Sequence, residues 1–482
     1  MALSTHTAFP RAHAAPTQRR PVAVANRRSP AQLTLRRLWL LRAAVALPLV
    51  AALAGFASHQ LHPATFPAPP QEPVPRGAIL ASDGQPLATG PASARSYPLR
   101  EAGAALVGFT GAVQPDGRYG LEGLEYSLDP VLTAGQDVVL TIDSTIQAAA
   151  DRHLRKAAVQ YGAESGAAVV LEAGTGRILA AASYPPYDPN AWEEAGRRQM
   201  TNQAFIENYE PGSVIKPIVI AGLLESGLLR PDEMVETPPT IRVGEQTFRD
   251  VTWHEDHLSV PDVLAYSSNS GMINLSQRFE DAELHEWLMR FGIGQDVPVP
   301  GTYTESGHLN PWWRWVPQDH ASNTIGQNHS TTALQLAAAY SIFANDGIYV
   351  PPRLVEGQPA AEPHRVLSPE VAHTMRWMLN HVTEASGLRV ARVPGVSVAA
   401  KTGTADVYDN ELGRYVPGDY NLSVAGMLPA EDPRVIAVVM LHKPAEGATS
   451  TIATGTLFGE LATDIVAAWG EVPRTEALAS AR

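Results

Sequence analysis

Lysine is scarce in this chain, and its scarcity marks positions where a proton could be transferred. Among the 36 basic residues of the 482-residue sequence, only four are lysines: Lys156, Lys216, Lys401 and Lys443. Arginine stays charged in proteins whereas lysine can be neutral in a suitable site, so a retained lysine indicates a need that arginine cannot meet. Lys216 and Lys401 lie in motifs suited to such chemistry, and we expect Lys156 and Lys443 to be solvated.

Ser213 precedes Lys216 by three residues, within the sequence PGSVIKP at 211–217. At the start of a helix this spacing places both side chains on one face. A neutral Lys216 could then take the proton of the Ser213 hydroxyl, and the helix N-terminus would favour the developing negative charge. The same spacing also occurs by chance on capped surface helices, so it needs further motifs beside it.

Two further motifs follow along the chain. Ser267 and Asn269, in the sequence SSN, offer a hydroxyl and an amide that can point into one cleft and pass or hold a proton. The sequence KTGT at 401–404 follows the apolar run 396–400, which predicts an edge strand whose Gly403 lets a ligand approach the backbone. The three motifs in this order form a known set of serine acyl-transfer enzymes.

With all three motifs present, the chain resembles the class B penicillin-binding proteins, monofunctional peptidoglycan D,D-transpeptidases of cell division or elongation. The resemblance runs from residue 76 to about residue 470. Its other matching segments are Arg76–Ile79, Asp83–Gly84, Leu87–Ala88, Gly120–Glu125, Ser183–Pro185, Pro189–Asn190, Gly326–Gln327 and Thr332–Leu336. The middle motif reads SSN rather than SDN, which is common in class B.

One departure from the family lies before the catalytic motifs. Only about 45 residues separate Arg76 from Leu121, where family members usually carry a much larger non-catalytic pedestal. We therefore expect a reduced, β-rich pedestal at 76–135. Partner contacts attributed to the head of a full pedestal do not carry over to this chain.

The resemblance implies a role for each residue of the motifs. Ser213 attacks the carbonyl of the penultimate D-alanine of a stem pentapeptide and forms an acyl-enzyme, with Lys216 as the base. Ser267 relays the proton to the leaving D-alanine, Lys401 holds Ser267, and Asn269 orients Lys216 and the substrate amide. An amine of a neighbouring stem peptide then takes the acyl group and completes the cross-link.

The resemblance also implies how substrate is held. Thr402 and Thr404 bind the terminal carboxylate, and Gly403 keeps the strand close to it. The backbone N–H groups of Ser213 and Thr404 form an oxyanion hole, in which one donor is worth about 3–4 kcal/mol. No cofactor or metal is implied. β-Lactams would be covalent inhibitors, and a polytopic SEDS-type glycan polymerase and other division or elongation proteins would be partners.

Two other functions remain open at this stage. One is a hydrolase on the same scaffold, either a D,D-carboxypeptidase or a β-lactamase, with Glu305 as a weak candidate for a deacylating glutamate. The other is a catalytically silent scaffold of wall synthesis. A membrane anchor and the segments Arg76–Ala88 and Gly120–Glu125 speak against a secreted hydrolase. The retained catalytic lysines speak against a silent scaffold.

The N-terminal region predicts a membrane anchor. Residues 1–42 contain eight arginines and no acidic residue, although the whole chain carries a net charge of −13. An apolar segment of about 20 residues, Leu38–Ala57, follows these arginines and just reaches the length of a membrane span. The positive-inside rule puts the N-terminus in the cytoplasm and the body outside the bacterial inner membrane. A cleaved signal peptide and a buried globular helix are the alternatives.

The domain organisation follows from these segments. We expect a cytoplasmic tail at 1–36, a transmembrane anchor at 37–58, a proline-rich linker at 59–75, the reduced pedestal at 76–135, a transpeptidase domain at 136–475 and a tail at 476–482. Strands at 138–142, 166–171, 177–182, 422–427 and 434–441 flank a largely helical middle at 212–345, before a last helix at 456–469. This order predicts an α+β fold of the penicillin-binding-protein and β-lactamase type, with an antiparallel sheet flanked by helices.

Composition excludes several classes. The chain has no cysteine, which rules out disulfide scaffolds, thiolate zinc sites and a cysteine nucleophile. The acidic balance argues against a nucleic-acid binder. The sequence HEDH at 254–257 lacks the spacing of a helical metal motif, so we expect a solvated loop there. Three tryptophans, Trp312, Trp313 and Trp315, could line a groove but are expected to pack a loop.

Overall fold

An antiparallel five-stranded sheet organises the part of the chain that carries the motifs. Its strands are β1 (Ser165–Glu172), β2 (Ile178–Tyr184), β3 (Ala399–Asp409), β4 (Arg414–Leu428) and β5 (Val435–His442). They lie in the order β3-β4-β5-β1-β2, so strands from both ends of the catalytic region pair directly, β5 with β1. β3 and β2 are the two edges. The predicted α+β fold with one antiparallel sheet is confirmed.

Helices cover both faces of this sheet. Successive residues of β1 and β5 are buried whichever face they point to, which explains why these strands read as continuous apolar runs rather than alternating ones. The main helices are α1 (Ser144–Gln160), α2 (Lys216–Glu225), α3 (Asn269–Ser276), α4 (Ala333–Ala344), α5 (Pro369–Ala385) and α6 (Ala453–Ala468). α1 and α6 pack together and against the sheet, while α4 packs against β1 and β5.

Local sequence explains where the helices begin. Asp143 caps α1, because its carboxylate accepts hydrogen bonds from the N–H groups of Thr145 and Ile146 at 2.9 and 3.0 Å. Thr332 and Gln335 cap α4 reciprocally, in the pattern of a capping box. Every residue of α4 is buried, so this helix forms the centre of the core.

The computed structural model describes residues 30–61, 74–358, 361–409 and 411–470, with side chains of the first range described at 37–53. Two units result, residues 1–72 and residues 73–482. The predicted C-terminal tail and most of the predicted cytoplasmic tail and proline-rich linker lie outside the described residues. Within the second unit, the smaller helices are Ala104–Val107, Gly123–Ser127, Asp129–Thr133, Arg197–Met200, Gln203–Ile206, Val260–Ala265, Asp281–Arg290 and Pro317–Thr324.

Short strands and 3₁₀ turns complete the described part of the second unit. The strands are Ile79–Leu80, Pro86–Ala88, Val138–Val139, Met234–Glu236, Thr240–Val243, Gln246–Arg249, His257–Ser259, His308–Leu309, His329–Ser330, Ile348–Tyr349 and His364–Arg365. The 3₁₀ turns are Ala92–Ala94, Pro189–Glu194, Gly212–Ile215, Trp312–Arg314 and Gly387–Ala391. The hairpin Thr240–Val243 with Gln246–Arg249 interrupts the predicted helical middle.

The strand predicted at 138–142 is wrong in its length. Only Val138–Val139 pairs, in parallel with Ile79–Leu80. Beyond it the chain turns to the edge of the main sheet, where Leu140 bridges Val355 and the Thr141 hydroxyl donates to the carbonyl of Ile178 at 2.8 Å. The apolar residues 138–142 therefore contact two different neighbours, first Ile79–Leu80 and then the edge of the main sheet, and one continuous strand does not form.

Residues 76–135 are more helical than expected, and the prediction of a β-rich pedestal is wrong. The described strands here are Ile79–Leu80 and Pro86–Ala88, against three short helices and one 3₁₀ turn. The leucines at 124, 128 and 132 recur every four residues and are all buried, which is helical spacing. Pro130 lies in the first turn of Asp129–Thr133, where its missing N–H costs nothing.

The predicted anchor interval lies within a helix, Pro30–Leu61. In the part of the chain that the structure describes, no helix has the combination of length and apolar character that crossing a membrane requires.

Candidate active site

The turn that carries Ser213 lies against strand β3. Gly212–Ile215 forms a 3₁₀ turn that leads directly into α2 at Lys216. Gly212 has φ +63°, and a Cβ there would lie 2.4 Å from the carbonyl oxygen of Thr404. The buried helix α4 also fixes this turn, since the Tyr340 hydroxyl donates to the Val214 carbonyl at 2.8 Å. The serine turn is therefore fixed beside the KTGT strand.

Gly403 is required for packing rather than for ligand approach. A Cβ at this position would lie 2.4 Å from the carbonyl oxygen of Pro211 and 2.3 Å from the Ser423 hydroxyl. Its face of β3 therefore meets the serine turn, whereas Thr402 and Thr404 alternate to the opposite, more exposed face. The expected edge position of this strand is confirmed. The expected reason for the glycine is wrong, because backbone occupies the space.

Lys216 is fully buried and makes its contacts with the SSN turn. Its Nζ lies 2.6 Å from the Ser267 carbonyl oxygen, 2.7 Å from Asn269 Oδ1 and 3.3 Å from Ser267 Oγ. Burial, with a further effect of the nearby Lys401 charge, lowers the pKa of Lys216 well below its ordinary value. A neutral amine has two hydrogens, and the two carbonyl-type oxygens take both. The lone pair of the amine nitrogen then remains free to accept the proton of a hydroxyl group.

Lys401 approaches Ser267 from the other side. Its Nζ lies 3.0 Å from Ser267 Oγ, as the motif resemblance implied, and 3.0 Å from the Thr402 carbonyl oxygen. Its side chain is also buried, and that burial lowers its pKa to about 7. The Ser267 hydroxyl thus lies between two buried amines whose pKa values are both lowered by burial.

Ser213 is the motif residue whose hydroxyl stays free. Among the described residues its Oγ has no hydrogen-bond partner, and the direct bond to Lys216 that the sequence predicted is not formed. Lys216 instead turns to Ser267 and Asn269, because these offer oxygen acceptors in a buried setting. Thr404 Oγ1 contacts Ser450 Oγ at 3.0 Å, which adds Ser450 to the exposed face of β3.

The sequence analysis missed Asp250. This carboxylate accepts hydrogen bonds from the SSN turn, including those from the hydroxyls of Ser268 and Ser270, both at 2.7 Å. Asp250 lies at the end of a hairpin strand, well upstream of the motif, and no spacing rule links the two. Only the fold brings them together.

The other candidates lie apart from this cluster. His254 is buried and contacts Asp250, so the solvated-loop prediction is wrong for that residue, while His257 is exposed. Trp315 packs against the hydrophobic core, as expected, and its indole N–H donates to the Asn310 carbonyl. Trp312 and Trp313 are exposed instead. Lys156 and Lys443 pair with surface carboxylates. Across the described ranges, no group of three or more histidines or acidic residues is placed to hold a metal ion.

Comparisons with known proteins agree with this geometry. A model of the penicillin binding protein transpeptidase domain matches residues 166–463. PenA of Neisseria flavescens, named a probable peptidoglycan D,D-transpeptidase, is 34% identical over 343 residues, which cover 71% of this chain and 85% of PenA. The chain therefore belongs to the penicillin-binding proteins with a transpeptidase domain, of class B, as the resemblance indicated.

Longer relatives and a solved structure extend this comparison. PbpB of Mycolicibacterium smegmatis is 34% identical over 422 residues, covering 76% of this chain and 64% of PbpB, so the chain spans less than two thirds of that relative. The structure of penicillin-binding protein 3 of Mycobacterium tuberculosis in complex with ampicillin has a TM-score of 0.77 and 32% identity. The matched region covers 85% of this chain and 98% of the chain in that structure.

Proposed function

We propose that this protein is a peptidoglycan D,D-transpeptidase that cross-links stem peptides through an acyl-enzyme on Ser213. The observation that carries the proposal is the convergence of two buried lysines on Ser267, together with a free serine hydroxyl in the turn that leads into Lys216. Relatives named as peptidoglycan D,D-transpeptidases support the same reaction. A network of lysine amines, a hydroxyl and an amide of this kind suits the proton transfers of acyl transfer between peptides.

In the acylation step, Ser213 Oγ attacks the carbonyl carbon of the penultimate D-alanine. Neutral Lys216 takes the Ser213 proton with the lone pair that its carbonyl contacts leave free. The C–N bond to the terminal D-alanine then breaks, Ser267 passes its proton to the departing amine, and Lys216 returns the proton it took to Ser267. Lys401 donates to Ser267 Oγ and favours its alkoxide-like state during the relay. In the second step an acceptor amine attacks the acyl carbon and gives up a proton through Ser267 to Lys216. Lys216 returns that proton to Ser213 Oγ as the ester C–O bond breaks.

Two backbone groups and two threonines complete the proposed site. The N–H groups of Ser213 and Thr404 bind the oxyanion, supported by the close approach of Gly212 to Thr404. Thr402 and Thr404 hydrogen-bond the terminal carboxylate from the exposed face of β3. Gly403 contributes by letting the serine turn lie against that strand. Asn269 orients Lys216 through its Oδ1.

The cellular setting is also a proposal. Seven arginines precede the apolar segment that begins at Leu38, and an eighth, Arg42, lies within it. This basic flank supports a single-pass anchor at 37–58 in the bacterial inner membrane, with the catalytic domain outside the cytoplasm. The proposed domain limits stay those of the sequence, with 76–135 as the reduced pedestal and 136–475 as the transpeptidase domain. A SEDS-type glycan polymerase and other division or elongation proteins are the proposed partners.

Labelling with a fluorescent penicillin tests the reaction class. The full-length protein in detergent and its Ser213→Ala variant would be followed by gel fluorescence and intact mass over hours. We expect a long-lived adduct on Ser213 that the variant lacks. Rapid loss of the adduct with turnover of antibiotic would point to a β-lactamase, and no adduct on the wild-type protein would contradict the proposal.

A further inference from the structure

Asp250 holds the SSN turn through an unusual number of contacts. Its side chain is only 4% exposed. Oδ1 accepts hydrogen bonds from the backbone N–H groups of Asn269 and Ser270, the latter at 3.1 Å. Oδ2 lies 2.7 Å from both the Ser268 and Ser270 hydroxyls and 2.9 Å from His254 Nε2. One carboxylate therefore receives five groups, four of them from three consecutive residues of the turn.

The turn needs these stabilising hydrogen bonds because its backbone is strained. Ser267 has φ +56°, a conformation that a residue with a Cβ adopts at a cost of about 1–3 kcal/mol. This strained residue is the one whose hydroxyl must lie between Lys216 and Lys401. The N–H groups of the next residues point at Asp250, so the carboxylate stabilises the turn in which that hydroxyl is correctly aimed.

The strand before Asp250 orients the amide of the motif. Asn269 Nδ2 donates to the Arg249 carbonyl at 2.8 Å, which turns Asn269 Oδ1 toward Lys216. The hairpin end at Arg249 and Asp250 thus fixes both the backbone and the side chain of Asn269. Neither residue contacts Ser213 in the described hydrogen bonds, so both act through the turn.

Asp250 is also the anionic side chain of this neighbourhood. Burial raises its pKa, but hydrogen bonds from Ser270 and Ser268 outweigh that effect and leave the pKa below its ordinary value. Its negative charge opposes the lowering of the Lys216 pKa that burial and Lys401 produce. The titratable side chain in direct contact with it is His254, whose ring contacts both Asp250 Oδ2 and the Glu255 carbonyl at 2.9 Å.

Building on the proposed acyl-transfer function, we propose that Asp250 is a positioning residue of the reaction. It holds the Ser267–Asn269 turn so that the Ser267 hydroxyl and the Asn269 amide meet the two lysines. The effect on chemistry comes through Ser267 and Lys216 rather than through contact with substrate.

Removing the carboxylate tests this inference. In Asp250→Ala the full-length protein should be acylated by fluorescent penicillin about 100-fold more slowly per folded molecule, the scale of loss caused by displacing reacting groups by an ångström. Asp129→Ala is the matched control, because Asp129 is equally buried but bonds Arg76, Tyr119 and Gly120 instead. We expect the control to lose stability and keep the wild-type acylation rate constant. A wild-type rate constant in folded Asp250→Ala would overturn the inference.

Asp250→Asn separates geometry from charge and covers the case in which the alanine variant does not fold. The amide keeps an acceptor for the N–H groups of Asn269 and Ser270 and can donate to the hydroxyls of Ser268 and Ser270. We expect acylation within about tenfold of wild type at its optimal pH. The acidic limb of its pH profile should move to lower pH, because the charge that favours protonated Lys216 is gone. An unmoved limb would mean that the carboxylate only supports the fold.

These results are distinguishable from failure of the proposed function. That failure would appear as a wild-type protein without an adduct on Ser213. Failure of the Asp250 inference would appear as normal adduct formation in both the wild-type protein and the Asp250 variants.

Discussion

Two buried polar clusters in this protein follow opposite electrostatic rules. In the first, Arg76 contacts Glu125 at 2.7 Å and Asp129 at 2.8 Å, and Arg95 contacts Glu125 at 2.6 Å. Each charge there has an opposite charge within hydrogen-bond distance. In the second, Lys216 and Lys401 converge on one hydroxyl and receive only neutral oxygen atoms as direct partners.

The difference separates stability from reactivity. Paired charges in the first cluster keep each group ionised and fixed in place, which suits a structural joint between Arg76 and the segment Glu125–Asp129. Burial penalises both protonated amines in the second cluster, and the Lys401 charge adds to that penalty at Lys216. The second cluster therefore favours the neutral form of its lysines, which an acyl-transfer enzyme needs for its base.

Replacing Lys216 should have the largest effect on activity. Lys216→Met fills the same buried space without an amine, and we expect acylation by fluorescent penicillin to slow by about 10³-fold, the usual scale for a general base. Lys443→Met is the control, because that lysine pairs with Asp419 at the surface and should leave the rate unchanged. Equal rates in the two variants would mean that Lys216 is not the base.

Replacing Arg76 should have the largest effect on stability. Arg76→Met leaves Asp129 buried without its ionic partner and Glu125 with Arg95 alone. Breaking a buried ion pair on one side costs about 3–5 kcal/mol. Denaturant unfolding measures this loss, while the acylation rate per folded molecule should stay at the wild-type value. A slower acylation rate in the folded variant would show that the two clusters are coupled.

Replacing Lys401 should have a smaller effect, on how the free energy of unfolding changes with pH. The pKa of Lys401 is about 7 in the folded protein and near 10.5 when exposed. Between these values the unfolded chain binds a proton that the folded one does not, so the lysine's contribution to stability rises with pH. From pH 7.5 to 9.5 the wild-type free energy of unfolding should therefore rise about 2–3 kcal/mol more than that of Lys401→Met. Parallel curves would contradict the depressed pKa.

Local sequence was sufficient to predict much of the site. The three motifs identified Lys216, Ser267, Asn269 and Lys401, whose side chains the fold joins by hydrogen bonds, and Ser213, whose hydroxyl stays free. The scarcity of lysine singled out the two lysines that are buried. Edge strand β3 and the two strands β1 and β2 were also predictable, because each depends on neighbours within a few residues.

Features that depend on distant neighbours were not predictable. Gly403 faces the backbone of Pro211, almost two hundred residues earlier, so its motif alone suggested a ligand instead. Asp250 reaches the SSN turn only because a hairpin folds back onto α3. The leucines of 124–132 did carry a helical signal, but in five-residue helices it was too short to outweigh the turns around it.

The pKa values of the four lysines test the central claim most directly. In protein labelled with ¹³C at the lysine ε-carbon, four resonances would be followed from pH 5 to 11 and assigned with the Lys216→Met and Lys401→Met variants. We expect Lys216 and Lys401 to titrate at least two pH units below Lys443, whose pKa the Asp419 carboxylate raises. If all four lysines titrate together near pH 10.5, the two buried amines are not the neutral bases that this mechanism requires.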